Sequence, residues 1–109
     1  MKAGAKVIYT IPEIKEKLLP LCHKYKVGEL YLFGSYARGE ASENSDVDLR
    51  VEGWKTLELP SAFSFIHFTE ECEAALGKKV DLLIRPKSEL DDDYLLEILA
   101  AEEVKLYGR

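Results

Sequence analysis

The chain has 109 residues, 47% of them hydrophobic and 32% charged, with a formal net charge of −5. This length predicts one domain, 1–109, with a single core, and the composition is that of a folded rather than a disordered chain. The acidic balance and the lack of a basic stripe argue against a domain that holds DNA or RNA directly through its phosphates. No apolar run approaches the length of a membrane span and no signal pattern opens the chain, so we expect a cytoplasmic protein.

The first helix is predicted by its N-terminal cap. Thr10 and Glu13 have the spacing of a capping box, and the apolar periodicity that follows continues to about Lys26. Pro20 lies inside this helix and lacks the N–H that would bond to the preceding turn, so we expect a kink there. Residues 6–9 are an edge strand or an arm.

A turn of small residues follows the first predicted strand, which runs from about Glu29 to Phe33. Gly34 ends the strand where a residue without a Cβ lets a ligand approach the backbone closely. Ser35 begins a short helical turn, to Gly39, whose free N–H groups and hydroxyl can hold a phosphate. Arg38 lies one turn further on and either neutralises phosphate charge or is simply solvated.

The second predicted strand, from Asp46 to about Glu52, alternates polar and apolar residues. Asp46 and Asp48 therefore share one face with Arg50, and residues two apart on a strand have Cα atoms about 6.5 Å apart. Both carboxylates can reach one cation or one pair of cations. Because no softer ligand is near, this pair favours Mg²⁺ or Mn²⁺ over zinc.

Two familiar motifs fail at this point of the chain. The glycines of the turn have the spacing of a P-loop, but Glu40 and Ala41 stand where that motif needs Lys and Ser or Thr. The two aspartates could open an EF-hand loop, but Arg50 and Val51 occupy the positions of its third ligand and its glycine.

A second helix is predicted from Pro60 to Leu76, stopped by Gly77. Its aromatic residues lie too nearly all round for one stripe, which favours a protein-binding face over a large enclosing core. At least one of three phenylalanines should therefore be exposed in an isolated monomer: Phe63, Phe65 and Phe68.

Two other residue types are assigned outside the site. Trp54 either anchors a partner or covers the edge of the core. Cys22 and Cys72 are expected to be free thiols in a reducing cytosol rather than a disulfide or metal ligands.

The third predicted strand, Val80 to Ile84, is interrupted by Asp81. If this strand neighbours the second one, Asp81 completes a triad with the two aspartates there; otherwise it is a surface-edge residue. Three close carboxylates repel, so without a cation one of them should tend to hold a proton. Asp91–Asp93 are interpreted as the acidic first turn of a last helix, to about Ala101, and not as a metal cluster. A fourth strand, 104–107, closes the sheet.

These residues together resemble the signature of the DNA polymerase β-like nucleotidyltransferase superfamily, in particular its minimal (MNT) branch. A second element, from Gly77 to Leu82, falls where that family places its third carboxylate. The resemblance covers nearly the whole chain and implies an α/β fold, a small mixed β-sheet packed with helices. The signature reads Phe33-Gly34-Ser35-x-Ala37-Arg38-Gly39-x-Ala41-x-x-x-Ser45-Asp46-x-Asp48-Leu49.

The resemblance also implies roles for these residues, with ATP as the substrate and Mg²⁺ or Mn²⁺ as the cofactor. Asp46, Asp48 and Asp81 would be the catalytic and metal-binding residues, and Asp81 would assist activation of an acceptor hydroxyl. The nucleotide would be held by four residues: Gly34, Ser35, Arg38 and Ser45.

The minimal branch often serves, by this resemblance, as the antitoxin of an all-helical HEPN toxin, and some members transfer AMP to a toxin tyrosine. Larger members carry a further domain for the acceptor, which we do not expect within these 109 residues. Our leading hypothesis is therefore AMP transfer to a partner HEPN toxin, in a homo- or hetero-oligomer. Two alternatives stay open: a non-catalytic module that neutralises its partner by occlusion, and nucleotidyl transfer to a small molecule such as an aminoglycoside.

Overall fold

The computed structural model describes residues 7–52, 61–83 and 103–108. Its strands form one four-stranded sheet in the order β3-β2-β1-β4. This is the small mixed sheet packed with helices that the sequence predicts. In chain order the elements are α1 (Ile11–Tyr25), β1 (Glu29–Phe33), α2 (Gly34–Arg38), β2 (Val47–Glu52), α3 (Ser61–Leu76), β3 (Val80–Leu83) and β4 (Val104–Tyr107).

Helix α1 begins with the predicted capping box. The Glu13 N–H donates to the Thr10 hydroxyl at 3.2 Å, and the Thr10 N–H donates to the Glu13 carboxylate at 2.8 Å. The helix continues through Pro20, and the kink expected there stays a prediction. It ends at Lys26, whose left-handed backbone (φ 55°) lets its N–H reach the carbonyls of the last turn.

The sheet combines antiparallel and parallel pairing. Strand β1 is antiparallel to both β2 and β4, whereas β2 and β3 are parallel. Parallel neighbours need a long crossover connection, and α3 lies in the chain between them. Alternate strand residues, such as Leu32, Leu49 and Val80, are buried in one core with α1 and α3. The intervening residues, including Asp48 and Asp81, lie on the opposite face of the sheet.

Helix α3 bears out the expectation of an exposed aromatic residue. Phe68 is fully buried, whereas Phe63 is 64% exposed, and Ile66 beside it is also exposed. Cys22 and Cys72 are free and buried, as expected. Predictions for Trp54, for Ile84 and for the last helix, 91–101, fall outside the described residues. Within the described part of the chain, no helix has the length and apolar character of a membrane span.

Arg50 is an unexpected member of the interior. Its side chain is 1% exposed although it lies on the same sheet face as Asp48. The guanidinium donates from Nε to Glu103 at 2.7 Å and from Nη1 to Glu52, and its centre lies 4.6 Å from the centroid of the Tyr31 ring. Two carboxylates and an aromatic face thus offset the desolvation of a buried cation.

Replacing Arg50 by Met should break both ion pairs of this buried guanidinium. Because the desolvated carboxylates would lose their cation, we expect the free energy of unfolding to fall by about 3 kcal/mol. Urea denaturation at neutral pH measures the change.

The matched control is Lys105→Met. Lys105 carries the same charge on the neighbouring part of the sheet, but its contact to Glu29 is longer, 3.7 Å, and its side chain is 38% exposed. The expected loss is below about 1 kcal/mol. Equal losses in the two variants would contradict the role given to Arg50.

Candidate active site

Two of the three predicted carboxylates are neighbours across the sheet. Asp48 on β2 and Asp81 on β3 occupy the same register position of the parallel pair. Adjacent strands lie about 4.8 Å apart, so the two side chains leave the same face side by side. The condition set by the sequence, that the third strand lie next to the second, is therefore met.

The start of this strand pair is fixed by main-chain and core contacts. The Val47 N–H donates to the Lys79 carbonyl at 2.9 Å. Val47 and Val80 face each other and are buried on the helix-covered side. Because side chains alternate along a strand, burying these valines turns the following aspartates to the other face.

Asp46 lies one residue before the first residue of β2. Its charge acts on Asp48, so it is close to the pair. Within residues 7–52, 61–83 and 103–108, however, no three acidic, histidine or cysteine side chains converge as a ready set of metal ligands. The strand begins at Val47, so the shared face of Asp46 and Asp48 stays a prediction.

The surroundings of Asp48 favour its protonated form. Burial raises the pKa of Asp48 to about 6, and the charges of Asp81 and Asp46 and a hydrogen bond with Asp81 act in the same direction. Arg38 opposes this shift. A half-buried carboxyl that holds a proton at mildly acidic pH agrees with the expectation for three close acids. An all-oxygen donor set of this charge fits a hard divalent cation such as Mg²⁺, which would relieve the repulsion.

Gly34 fits against Asp48 as well as ending the strand. It has a positive φ of 76°, and a Cβ at this position would overlap Oδ2 of Asp48 and lie 3.1 Å from its Cγ. The Asp48 carboxylate thus lies where a Cβ of residue 34 would be, and the close approach of a ligand to this backbone stays a prediction. The helical turn α2 starts at Gly34 itself and is capped by Gly39.

The other predicted nucleotide-binding residues have structural contacts of their own. Arg38 donates from Nε to Glu40 at 2.9 Å on the exposed side of α2. The Ser45 hydroxyl accepts the Ser42 N–H at 2.8 Å and so shapes the loop that leads to β2. Ser35 is partly buried in α2 and its carbonyl accepts hydrogen bonds that close the turn.

Lys78 also supports this loop and is absent from the sequence-based site. It is 8% exposed, and its Nζ donates to the Glu43 carbonyl at 2.8 Å. Lys78 thus ties the loop before Asp46 to the start of β3. Lys78 lies in the turn between α3 and β3, so neither the helical nor the strand periodicity of the sequence marks it.

The contact between Gly34 and Asp48 can be tested by Gly34→Ala. A Cβ there would meet both an unfavourable backbone conformation and the carboxylate, so we expect the free energy of unfolding to fall by about 3 kcal/mol. Gly39→Ala is the control, because Gly39 has the same φ of 76° but open space around its Cβ position. Its expected loss, by urea denaturation, is about 1 kcal/mol. If the free energy of unfolding falls by the same amount in both variants, the overlap with the Asp48 carboxylate does not destabilise the fold.

The protonation of Asp48 predicts a pH effect on stability. Its pKa is higher in the folded chain, about 6, than the ordinary value of 3.8, so ionising it costs the folded state stability as the pH rises through this range. Asp48→Asn removes that cost. We expect the variant, in EDTA, to melt roughly 4 °C above wild type near pH 8, a gain of about 1 kcal/mol after solvent screening. The gain should vanish at about pH 4. A difference in melting temperature between variant and wild type that stays the same from pH 4 to pH 8 would refute the raised pKa of Asp48.

The chain matches the family model described as a nucleotidyltransferase domain over residues 14–106. Among its relatives, protein adenylyltransferase MntA of Thermococcus cleftensis is 46% identical over 65 residues, which cover 60% of this chain and 63% of the relative.

Solved structures share the fold. A chain of a toxin–antitoxin complex with AMP-PNP superposes with a TM-score of 0.67 at 26% identity, covering 87% of this chain and 73% of that chain. A complex of tri-AMPylated Shewanella oneidensis HEPN toxin with MNT antitoxin gives a TM-score of 0.63 at 22% identity, covering 92% and 74%, and shows likeness of fold alone. With the family model matching most of its length and its aspartates paired across the sheet, the chain belongs to the nucleotidyltransferase family and is a nucleotidyltransferase.

Proposed function

We propose that this chain transfers AMP from Mg-ATP to a hydroxyl, that of a tyrosine, on a partner HEPN toxin, and thereby acts as an antitoxin. The observation that carries the proposal is the Asp48–Asp81 pair beside the Gly34 turn, in a chain of the nucleotidyltransferase family. A relative named protein adenylyltransferase supports AMP as the transferred group. Residues 1–109 would act as one domain.

In this proposal the turn after β1 holds the triphosphate. Gly34 and Ser35 start α2, where main-chain N–H groups are not used by the helix itself. Arg38, on the exposed side of α2, would exchange its contact with Glu40 for a phosphate oxygen. Ser45 would hold the loop before Asp46 in place and contribute its hydroxyl to nucleotide binding.

The three aspartates would hold the cation and position the acceptor. Asp46 and Asp48, joined by Asp81, are the residues that would bind Mg²⁺, which supplies charge neutralisation at the phosphates and at the attacking oxygen. Asp81 would accept the proton of the acceptor hydroxyl. The hydroxyl oxygen then forms a bond to the α-phosphorus while the bond to pyrophosphate breaks on the opposite side.

A protein acceptor is supported by the surface of α3. Phe63 is 64% exposed and Ile66 46% exposed, one turn apart on the helix. Neighbouring exposed apolar side chains on a small chain are typical of protein-interaction surfaces. This patch favours a protein partner over a small-molecule acceptor, and it suits both AMP transfer and the alternative in which the chain neutralises its partner by occlusion.

Label transfer separates these functions. Purified protein is mixed with Mg²⁺, ATP labelled at the α-phosphate and lysate of the host, and labelled proteins are resolved on a gel. We expect one labelled band with wild type, and less than about one-hundredth of that signal with Asp46→Asn/Asp48→Asn, because the cation loses two of its ligands.

The control for charge loss is Glu13→Gln/Glu16→Gln, which removes two exposed carboxylates of α1 outside the proposed site and should keep most of the label. The double aspartate variant is also tested for rescue of growth when the toxin is expressed. If the double aspartate variant rescues growth without labelling any protein, the chain acts by occlusion and not by AMP transfer. If that variant labels a protein as strongly as wild type does, the proposed site is refuted.

A further inference from the structure

A groove of about 960 Å³ lies at the other end of the sheet from the aspartates. It is lined by the exposed side of α1, by the start of β1 and by β4. Glu52, at its edge, is four residues beyond Asp48 on β2, which corresponds to roughly 13 Å along the strand. The groove is thus separate from the site described above.

The α1 wall of the groove is basic and exposed. Lys15, Leu19, His23 and Lys26 recur at helical spacing on this wall. Within the described residues, neither Lys15 nor Lys26 forms an ion pair. Two unneutralised ammonium groups flanking an exposed leucine form a cationic surface on a chain whose formal net charge is −5.

The acidic residues of the groove are already engaged. Glu29 accepts the Tyr31 hydroxyl at 2.6 Å and lies 3.7 Å from the Lys105 ammonium. Glu52 is bound to Arg50. The free charge in the groove is therefore positive, which suits an anionic ligand.

The opposite wall is an edge strand. In the described sheet β4 pairs only with β1, and four consecutive residues, 105–108, line the groove. Within the described residues the other edge of β4 has no strand partner, so a polypeptide can pair with it and a nucleic acid cannot. The His23 ring packs edge-to-face on Tyr107 at 5.4 Å and holds the two walls together.

We propose that this groove binds an extended acidic segment of a partner protein. Carboxylates of the segment meet Lys15 and Lys26, and its backbone adds to β4 as a further strand. The binding requires no transfer chemistry, so it stands whether or not the partner is the acceptor of AMP.

The test measures fluorescence anisotropy of a labelled peptide of alternating glutamate and threonine at an ionic strength of about 0.15 M, where screening over about 8 Å limits the effect of charges outside the groove. The wild-type chain should bind it, and Lys15→Glu/Lys26→Glu should bind at least about tenfold more weakly. The control, Lys17→Glu/Lys24→Glu, makes the same change of net charge on α1 outside the groove and should stay within about twofold of wild type. Lys15→Gln/Lys26→Gln, with a smaller charge change, should lie between them.

Three further probes complete the experiment. A peptide N-methylated at alternate residues should bind more weakly, because it cannot pair with an edge strand. The corresponding lysine–threonine peptide should not bind. Equal weakening by the two double variants, a preference for the lysine peptide, no binding at all, or tighter Lys15-dependent binding of oligo-dT would each overturn the proposal.

Discussion

The parallel pairing of β2 with β3 is the constraint on which the site depends. Asp48 and Asp81 come from distant parts of the chain and meet only because these two strands are neighbours in register. A shift of one residue would turn one carboxylate into the helix-covered core, where an unpaired charge is strongly disfavoured. The buried valines on the reverse face therefore fix the position of the acids as firmly as any contact between the acids themselves.

Charge around the sheet is arranged in two different ways. At Arg50, a buried cation has carboxylates on both sides, and the ensemble stabilises the fold. At Asp48, like charges are neighbours and a half-buried acid has a raised pKa. The two arrangements lie on one face, two residues apart on β2. This contrast is typical of proteins in which like charges are kept close together at a binding site, and well-paired surrounding residues offset the loss of stability.

The sequence predicts the elements well because most of their signals are local. The capping box at Thr10, the apolar run of β1 and the alternation of β2 each depend on neighbouring residues, and the structure agrees with them. Asp81 could be assigned only through the resemblance, since nothing near it shows which strand it joins. The partnership of Arg50 with Glu103 joins residues 53 positions apart and has no local signal. Lys78 has no local signal either, because it lies in the turn between α3 and β3.

The crossover through α3 has a consequence for how the chain folds. The first carboxylates and the glycine turn are encoded by residue 48, but their partner on β3 is 33 positions further along, 81 minus 48. Parallel pairing over such a separation forms late, because closing the intervening loop costs entropy before the stabilising contacts between the strands can form. During synthesis, a chain released only as far as β2 contains the turn and two aspartates without the third. Asp48 and Asp81 therefore become neighbours only after β3 has been synthesised and has paired with β2.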